Sequence, residues 1–226
     1  MDLLPADTTL DERERAATVA VLPVGSHEQH GPHLPLATDT LVAGTLAREI
    51  AAVYPVRLLP PVTISCSQEH TAWPGTVSIS AATLAAVVRD IAASVHRAGV
   101  DSLVLVNAHG GNYVLGHVVQ ETSPPRMALF PHELDWVDAR VAAGCETSIL
   151  TDMHAGELET SILLYAYPHL VKPPFRDELA DDRRHLLSRG MQEYTESGVV
   201  GRPSLATPEK GRAVLASLVR SFAAYL

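Results

Sequence analysis

Short, nearly unbroken apolar runs alternate along this chain with longer segments whose leucine, valine and alanine residues recur at helical spacing. Val19 to Val24, Arg57 to Ile64, Asp101 to Asn107 and Arg126 to Phe130 read as strands, too short for helices and rich in β-branched residues. Between them, Leu41 to Val53, Ala81 to Ala98 and Tyr113 to Gln120 read as amphipathic helices. A further apolar helix includes Ile162 to Tyr165 and begins near His154, and Pro208 to Leu226 reads as a closing helix with proline at its start. Strands alternating with helices predict βαβ units, and therefore an α/β fold built on a mainly parallel sheet. Residues 171 to 182, dense in proline and charge, are expected to loop over the surface. No repeat or low-complexity segment interrupts the pattern.

The 226 residues suffice for one substantial core, so a single domain spanning 1–226 is expected. With 46% apolar and 19% charged residues the chain has the composition of a globular protein and not of a disordered one. A formal charge of −9 with no Lys/Arg cluster argues against a nucleic-acid partner. Cys66 and Cys145 are too few for a disulfide framework and are expected to be reduced. The amino-terminal Met1–Asp7 stretch lacks the basic start and apolar core of a signal peptide, and no apolar run approaches membrane-spanning length. A cytoplasmic location without membrane contact is the resulting expectation.

Candidate chemistry gathers where strands stop. The first strand runs into Ser26-His27-Glu28-Gln29-His30, and in extended backbone Glu28 and His30 point the same way, so a carboxylate and an imidazole can converge on one ion. The rigid Gly31-Pro32-His33-Leu34-Pro35 turn folds Asp39 back toward them, whereas Asp39 alone would pass for a helix N-cap. His33 is assigned to structure. At the end of the third strand, Asn107-Ala108-His109-Gly110-Gly111-Asn112 places His109 at the same sheet edge, with glycines that let the backbone approach a ligand. Asp152 to Ser161 carries His154, Glu157 and Glu159. Acidic residues suit a helix's first turn, but that does not account for His154. If the helix starts near His154, Glu157 lies on its face and Glu159 is rotated away, so the two glutamates should do different jobs. Ser65 to Thr76 has the composition of a loop between strand and helix.

These four clusters resemble the creatininase (creatinine amidohydrolase) family. Val24-Gly25-Ser26-x-Glu28-Gln29-His30-Gly31-Pro32-His33-Leu34-Pro35 followed by Asp39 is similar to its first signature, and Asn107-x-His109-Gly110-Gly111-Asn112 to its second. His154-Ala155-Gly156-Glu157-x-Glu159-Thr160-Ser161 resembles the third, and Ser67-x-Glu69-His70 through Trp73-Pro74-Gly75-Thr76 resembles a family loop in which phenylalanine is usual at the Trp73 position. Gly198 to Pro203 and Gly211-Arg212 are similar to its carboxyl-terminal pattern. The resemblance implies a layered αβα fold and a centre of two divalent ions per chain, zinc and/or manganese or iron(II). Glu28, His30, Asp39, His109 and Glu159 are then the ligands, with Asp39 bridging. His154 becomes the catalytic acid or base, with Glu157 beside it in the catalytic set or, alternatively, a ligand or substrate contact. Ser67, Glu69 and His70 are expected to touch substrate. Creatininase itself carries a glutamate ligand at the position matching Gly111, so this chain lacks one ligand and creatinine becomes a doubtful substrate.

The expected activity is hydrolysis of a non-peptide C–N bond, in a cyclic amide or related small-molecule amide, by metal-activated water. The alternatives within the family are deformylation of a formamide in flavin or deazaflavin biosynthesis, and a mycofactocin-type peptidase. From a different class stands a non-catalytic metal-binding protein. A homo-oligomer, a hexamer, is implied by the family resemblance. The open glycines around His109 suggest a lightly furnished pocket suited to larger amides.

Overall fold

The computed structural model describes residues 3–226. In chain order it contains α1 (Thr9–Arg15), β1 (Val19–Val24), α2 (Thr38–Val53), β2 (Arg57–Leu58), α3 (Ala81–Arg97), β3 (Ser102–Asn107), α4 (Val114–Glu121), β4 (Arg126–Phe130), α5 (Glu133–Ala143), α6 (Glu157–Ala166), α7 (Leu186–Arg189) and α8 (Pro208–Ser221). The sheet has the order β2-β1-β3-β4, and every pair in it is parallel.

Alternation along the strands divides the core into two layers. Val19 and Val21 of β1, Val104 and Val106 of β3 and Phe130 of β4 face one side, where α2, α6 and α8 supply Leu46, Ile50, Ile162, Leu163, Val214 and Leu218. Ala20, Leu22, Leu103 and Leu105 face the other, against Leu84 and Val88 of α3 and Leu115 and Val118 of α4. This is the layered αβα arrangement that the family resemblance implies.

β2 is shorter than the sequence suggests. Pro60 and Pro61 offer no N–H to the ladder, so regular pairing stops at Leu58, and the chain regains β1 only through a bridge between Val62 and Val24. Three helices escape the sequence reading: α1 and the single-turn α7 bury no residue, and α5 buries only Ala139 and Arg140.

The connection after β1 leads to β2 on one side of the sheet, and that after β3 leads to β4 on the other. β1 and β3 therefore flank the point where strand order reverses, the crevice where open α/β sheets collect their ligands. Val24 pairs with Asn107, which places the segment after Val24 beside the one after Asn107.

Candidate metal centre

Gly25 is the hinge that brings Asp39 into this crevice. A Cβ there would lie 2.3 Å from the Thr40 backbone nitrogen, so only glycine lets α2 start against the end of β1. Asp39 is the second residue of α2, not its cap, and is buried. Ser26 Oγ donates to Asp39 Oδ2 at 2.7 Å, and Thr40 Oγ1 donates to the Ser26 carbonyl at 3.0 Å. The carboxylate is thus fixed with one oxygen on each side of a shared space: Oδ1 lies 3.0 Å from His30 Nε2, and Oδ2 lies 3.0 Å from His109 Nδ1.

Two groups of ligand-type atoms meet at that bridge. One contains Glu28, Asp39 and His109, the other His30, His154 and Glu159, and within each the atoms lie within 4.8 Å of one another. Glu28 and His30 therefore fall in adjoining groups and not in the single group that their alternation suggests. The chain from Gly25 to His30 is not a strand, which removes the basis for that expectation.

Hydrogen bonds fix the imidazole tautomers. His109 Nε2 donates to the Cys66 carbonyl at 2.6 Å, which leaves the Nδ1 lone pair toward Glu28 and Asp39. His30 Nδ1 donates to the Glu28 carbonyl at 3.1 Å, freeing Nε2. His154 Nε2 donates to the Gln29 carbonyl at 2.7 Å, freeing Nδ1, which is 3.9 Å from Glu28 Oε1. Backbone carbonyls that orient imidazoles in this way are the usual outer support of metal ligands.

His70 differs. The Gln29 amide, oriented by the Gly31 N–H on its oxygen, donates from Nε2 to the Gly198 carbonyl and to His70 Nδ1. His70 Nε2 then carries the proton and offers no lone pair, although it lies 3.2 Å from Glu28 Oε1 and shares a grouping with Glu28 and His154.

Both Glu28 oxygens are buried without a hydrogen bond. The nearest N–H, on His70 Nε2 at 3.2 Å from Oε1, makes no hydrogen bond with it, and a divalent cation would meet the demand of this buried anion. The donor set of carboxylates and imidazoles fits such an ion.

Protonation follows the same crowding. Burial resists charging of His30, but Asp39, Glu159 and Glu28 push it up to about 9. Burial opposes the charged form of His109 too, and Glu28 and Asp39 carry it well above the ordinary histidine range. Burial acts against the Asp39 carboxylate, and His30 and His109 hold it well below its ordinary range. Burial and the nearby Asp39 push Glu159 up to about 7 against the opposing pull of His30. Burial, with His30 and His70 adding to it, drives His154 well down, and burial also takes His70 down to about 4. A divalent cation would compete with these protons for the same lone pairs.

Glu157 is not brought to this centre. Helix α6 begins at Glu157, not near His154, because Asp152 accepts from the Glu157 and Leu158 N–H groups at 2.7 and 3.1 Å. His154 precedes the helix, bridged to Val200, so the expected shared face does not exist. The buried Glu157 carboxylate accepts from the Glu146 and Thr147 backbones and the Thr147 hydroxyl, and pairs with Lys210 of α8. That side chain ties α6 to α8, which corrects its expected catalytic role. Glu159, one helical position pair further, points into the centre, its Oε2 accepting from Ala155 N at 2.6 Å.

The substrate-contact expectations divide. Ser67 is fully buried and lines none of the three cavities around the centre. His70 and Glu69 do line them. Gly111 is not open space: a Cβ there would meet Glu69 Oε1 at 2.2 Å and His109 Nε2 at 2.5 Å. Only Gly110 has free room, so the lightly furnished pocket expected from the glycines is corrected on the Gly111 side. His33 bonds Thr160 and is structural. Sequence reasoning missed Gln29, which serves His70, His154 and Gly198, and the buried Arg140–Asp152 pair at 2.8 Å behind α6.

The centre opens into adjoining cavities. One of about 340 Å³ reaches His109, His154 and Glu159 and is walled by Pro131, Trp136, Ile149 and Met153. A throat of about 80 Å³, lined by Glu69, His70, His109 and His154, lies beside it. A polar groove of about 370 Å³ shares Glu69, Gly111 and Tyr113 with the throat and extends to Arg189 and Gln192.

The mycofactocin precursor peptide peptidase of Mycolicibacterium smegmatis is 33% identical over 222 residues, covering 91% of this chain and 83% of the relative. A creatininase variant in complex with creatine superposes with a TM-score of 0.78 at 25% identity, over 100% of this chain and 97% of the other. A manganese form of creatininase shares the fold, with a TM-score of 0.77 at 24% identity over 100% and 97% of the two chains. The family profile described as creatinine amidohydrolase matches residues 6–226, and with the relatives it shows that the chain belongs to the creatininase family of metal-dependent amidohydrolases.

Proposed function

We propose that the chain holds two divalent cations per protomer and hydrolyses an amide bond within an extended, peptide-like substrate. The observation that carries this reading is the row of cavities crossing the centre, apolar on the Trp136 side and polar on the Arg189 side. A compact ring would fill one of them; a chain continuing on both sides of its scissile bond can use all three. Likeness to the mycofactocin precursor peptide peptidase supports the same choice over the small cyclic amide expected from sequence.

Glu28, Asp39 and His109 would hold one cation, and His30, Glu159 and Asp39 the other. When bound, such ions lower the pKa of water and polarise the amide carbonyl. His154 Nδ1, free because Nε2 is committed to the Gln29 carbonyl, takes the proton from the attacking water and returns it to the departing nitrogen. Water adds to the carbonyl carbon, the C–N bond breaks, and a carboxylate and an amine leave. The oxygen and imidazole donors suit zinc, manganese or iron(II). The unpaired Cys66 and Cys145 support a cytoplasmic setting. Among the described residues no helix is long and apolar enough to cross a membrane. Family likeness supports a homo-oligomer, a hexamer, which light scattering on the purified protein checks.

The test is to offer metal-loaded protein a panel of short peptides, a lactam, a formamide and creatinine, with products read by mass spectrometry. Peptide cleavage at one bond with weak creatinine turnover is expected. Creatinine hydrolysis at roughly 10⁴ per molar per second or above, with peptides untouched, would sink the peptide reading.

The two glutamates of α6 should separate cleanly. Glu159→Gln removes a direct ligand and is expected to lower metal affinity by more than about a hundredfold, beyond what loss of an outer support costs. Glu157→Gln should keep both ions but cost about 2 kcal/mol of stability, since it weakens a charge-assisted bond to Lys210 and two backbone donors. Elemental analysis and urea denaturation of the two variants read both effects, and metal loss in Glu157→Gln alone would reverse the assignment.

A further inference from the structure

Glu69 stands between the throat and the polar groove and lines both. Its carboxylate is held against the metal-centre wall, where it occupies the space into which any side chain at position 111 would grow. Glycine at 111 and glutamate at 69 are therefore one steric unit. The carboxylate is half buried, yet among the described residues it takes a hydrogen bond only from its own backbone N–H. The histidines lining the throat have their N–H groups directed elsewhere: His109 donates to the Cys66 carbonyl and His154 to the Gln29 carbonyl. No lysine or arginine lines the throat, and Arg189 belongs to the groove beyond it. A half-buried anion with no side-chain donor is an unmet demand in a throat that a ligand crossing from the metal centre to the polar groove shares with it.

We propose that Glu69 is a specificity-determining residue, which receives a cationic or hydrogen-bond-donating group of the ligand as it leaves the metal centre toward the polar groove and rejects a carboxylate there. Such a group completes the hydrogen bonding of Glu69, while a ligand anion meets an unscreened like charge in a narrow space. Glu69 acts on which ligand enters, not on the bond that breaks. The inference deepens the amide-hydrolase reading by assigning the charge of the group on the polar side, and it rests on the metal centre being occupied.

Three matched hydroxamates test it by binding, independently of turnover: β-alanine hydroxamate with an ammonium, neutral propionohydroxamate, and the monohydroxamate of succinic acid with a carboxylate. Calorimetry on metal-loaded protein, its metal content verified, should show the ammonium probe binding about tenfold or more tighter than the carboxylate probe, with the neutral one between. In Glu69→Gln, which preserves shape, the ratio should fall to about threefold or less, and Glu69→Ala should do the same. A flat preference in the unmodified protein, a preference that survives both substitutions, or no binding of any probe to loaded protein overturns the proposal. Because the probes are bound and not cleaved, failure of the peptide panel leaves this result readable, and failure here leaves peptide cleavage untouched.

Discussion

Asp39→Ala should strip both cations from the protein and lower amide hydrolysis by roughly a thousandfold or more, the equivalent of about 4 kcal/mol of transition-state stabilisation. The expectation follows from how the two carboxylate oxygens are divided. Oδ1 faces His30 and Oδ2 faces His109, each at 3.0 Å, so one side chain of the Glu28–Asp39–His109 group also reaches the neighbouring group through His30. Removing any other carboxylate empties one group; removing this one weakens both. Ser26 donates to Asp39, and Thr40 in turn fixes Ser26, so the carboxylate is held in that position. Asp39→Asn keeps the shape and the Ser26 contact but halves the ligating capacity, so it should also lose metal. Elemental analysis of both variants, with thermal unfolding to confirm the fold, decides the matter. An alanine variant that retains both ions would show that Asp39 does not bridge.

Much of this centre was legible because strand ends and motif chemistry coincide. The runs at Val19–Val24 and Ser102–Asn107 are apolar on both faces, as strands covered by two helical layers must be, so the positions of Glu28, His30 and His109 at one sheet edge follow from hydropathy alone. Asp39 was placed correctly, although the reason lies in a contact no local pattern announces: Gly25 is needed because Thr40 packs onto it. The errors have the same origin. The sequence places the start of α6 near His154 because Asp152, whose carboxylate accepts from the first helical N–H, lies five residues before Glu157 and reaches it across an irregular turn containing Ala155 in left-handed conformation. That displacement moved Glu157 from the site to the α8 interface. Likewise, the space beside Gly111 looked empty because Glu69 is 42 residues away in sequence and its carboxylate fills it only once the chain is folded. Helix α5 escapes because Leu134 and Val141 face outward and blur its periodicity, yet it contributes Trp136 and Arg140 to the cavity of about 340 Å³ beside the centre. What sequence pattern conveys well is which face of an element is buried; side-chain meetings between distant loops depend on tertiary packing.

His154→Ala is expected to leave the metal content and the fold intact while cutting turnover by roughly a hundredfold or more, the scale of a lost general acid or base. The ring is held by its Nε2 bond to the Gln29 carbonyl, and Gln29 is itself fixed by Gly31, Gly198 and His70, so Nδ1 is presented to the centre in one orientation. Burial first, then His30 and His70, keep the imidazole neutral by driving its pKa well below 6.5. Bound cations push in the same direction. A neutral base is needed at the first step, so activity should rise with pH through that depressed pKa. The acid limb of the rate profile should therefore lie below pH 6.5 in the unmodified enzyme, and the residual activity of His154→Ala should lack it. Had His154 been a ligand, as its place beside His30 and Glu159 allows, the alanine variant would instead lose an ion, and added metal would restore part of the rate. Elemental analysis alongside the pH profile separates the two, because only a proton-transfer role removes a titration limb while both ions stay in place.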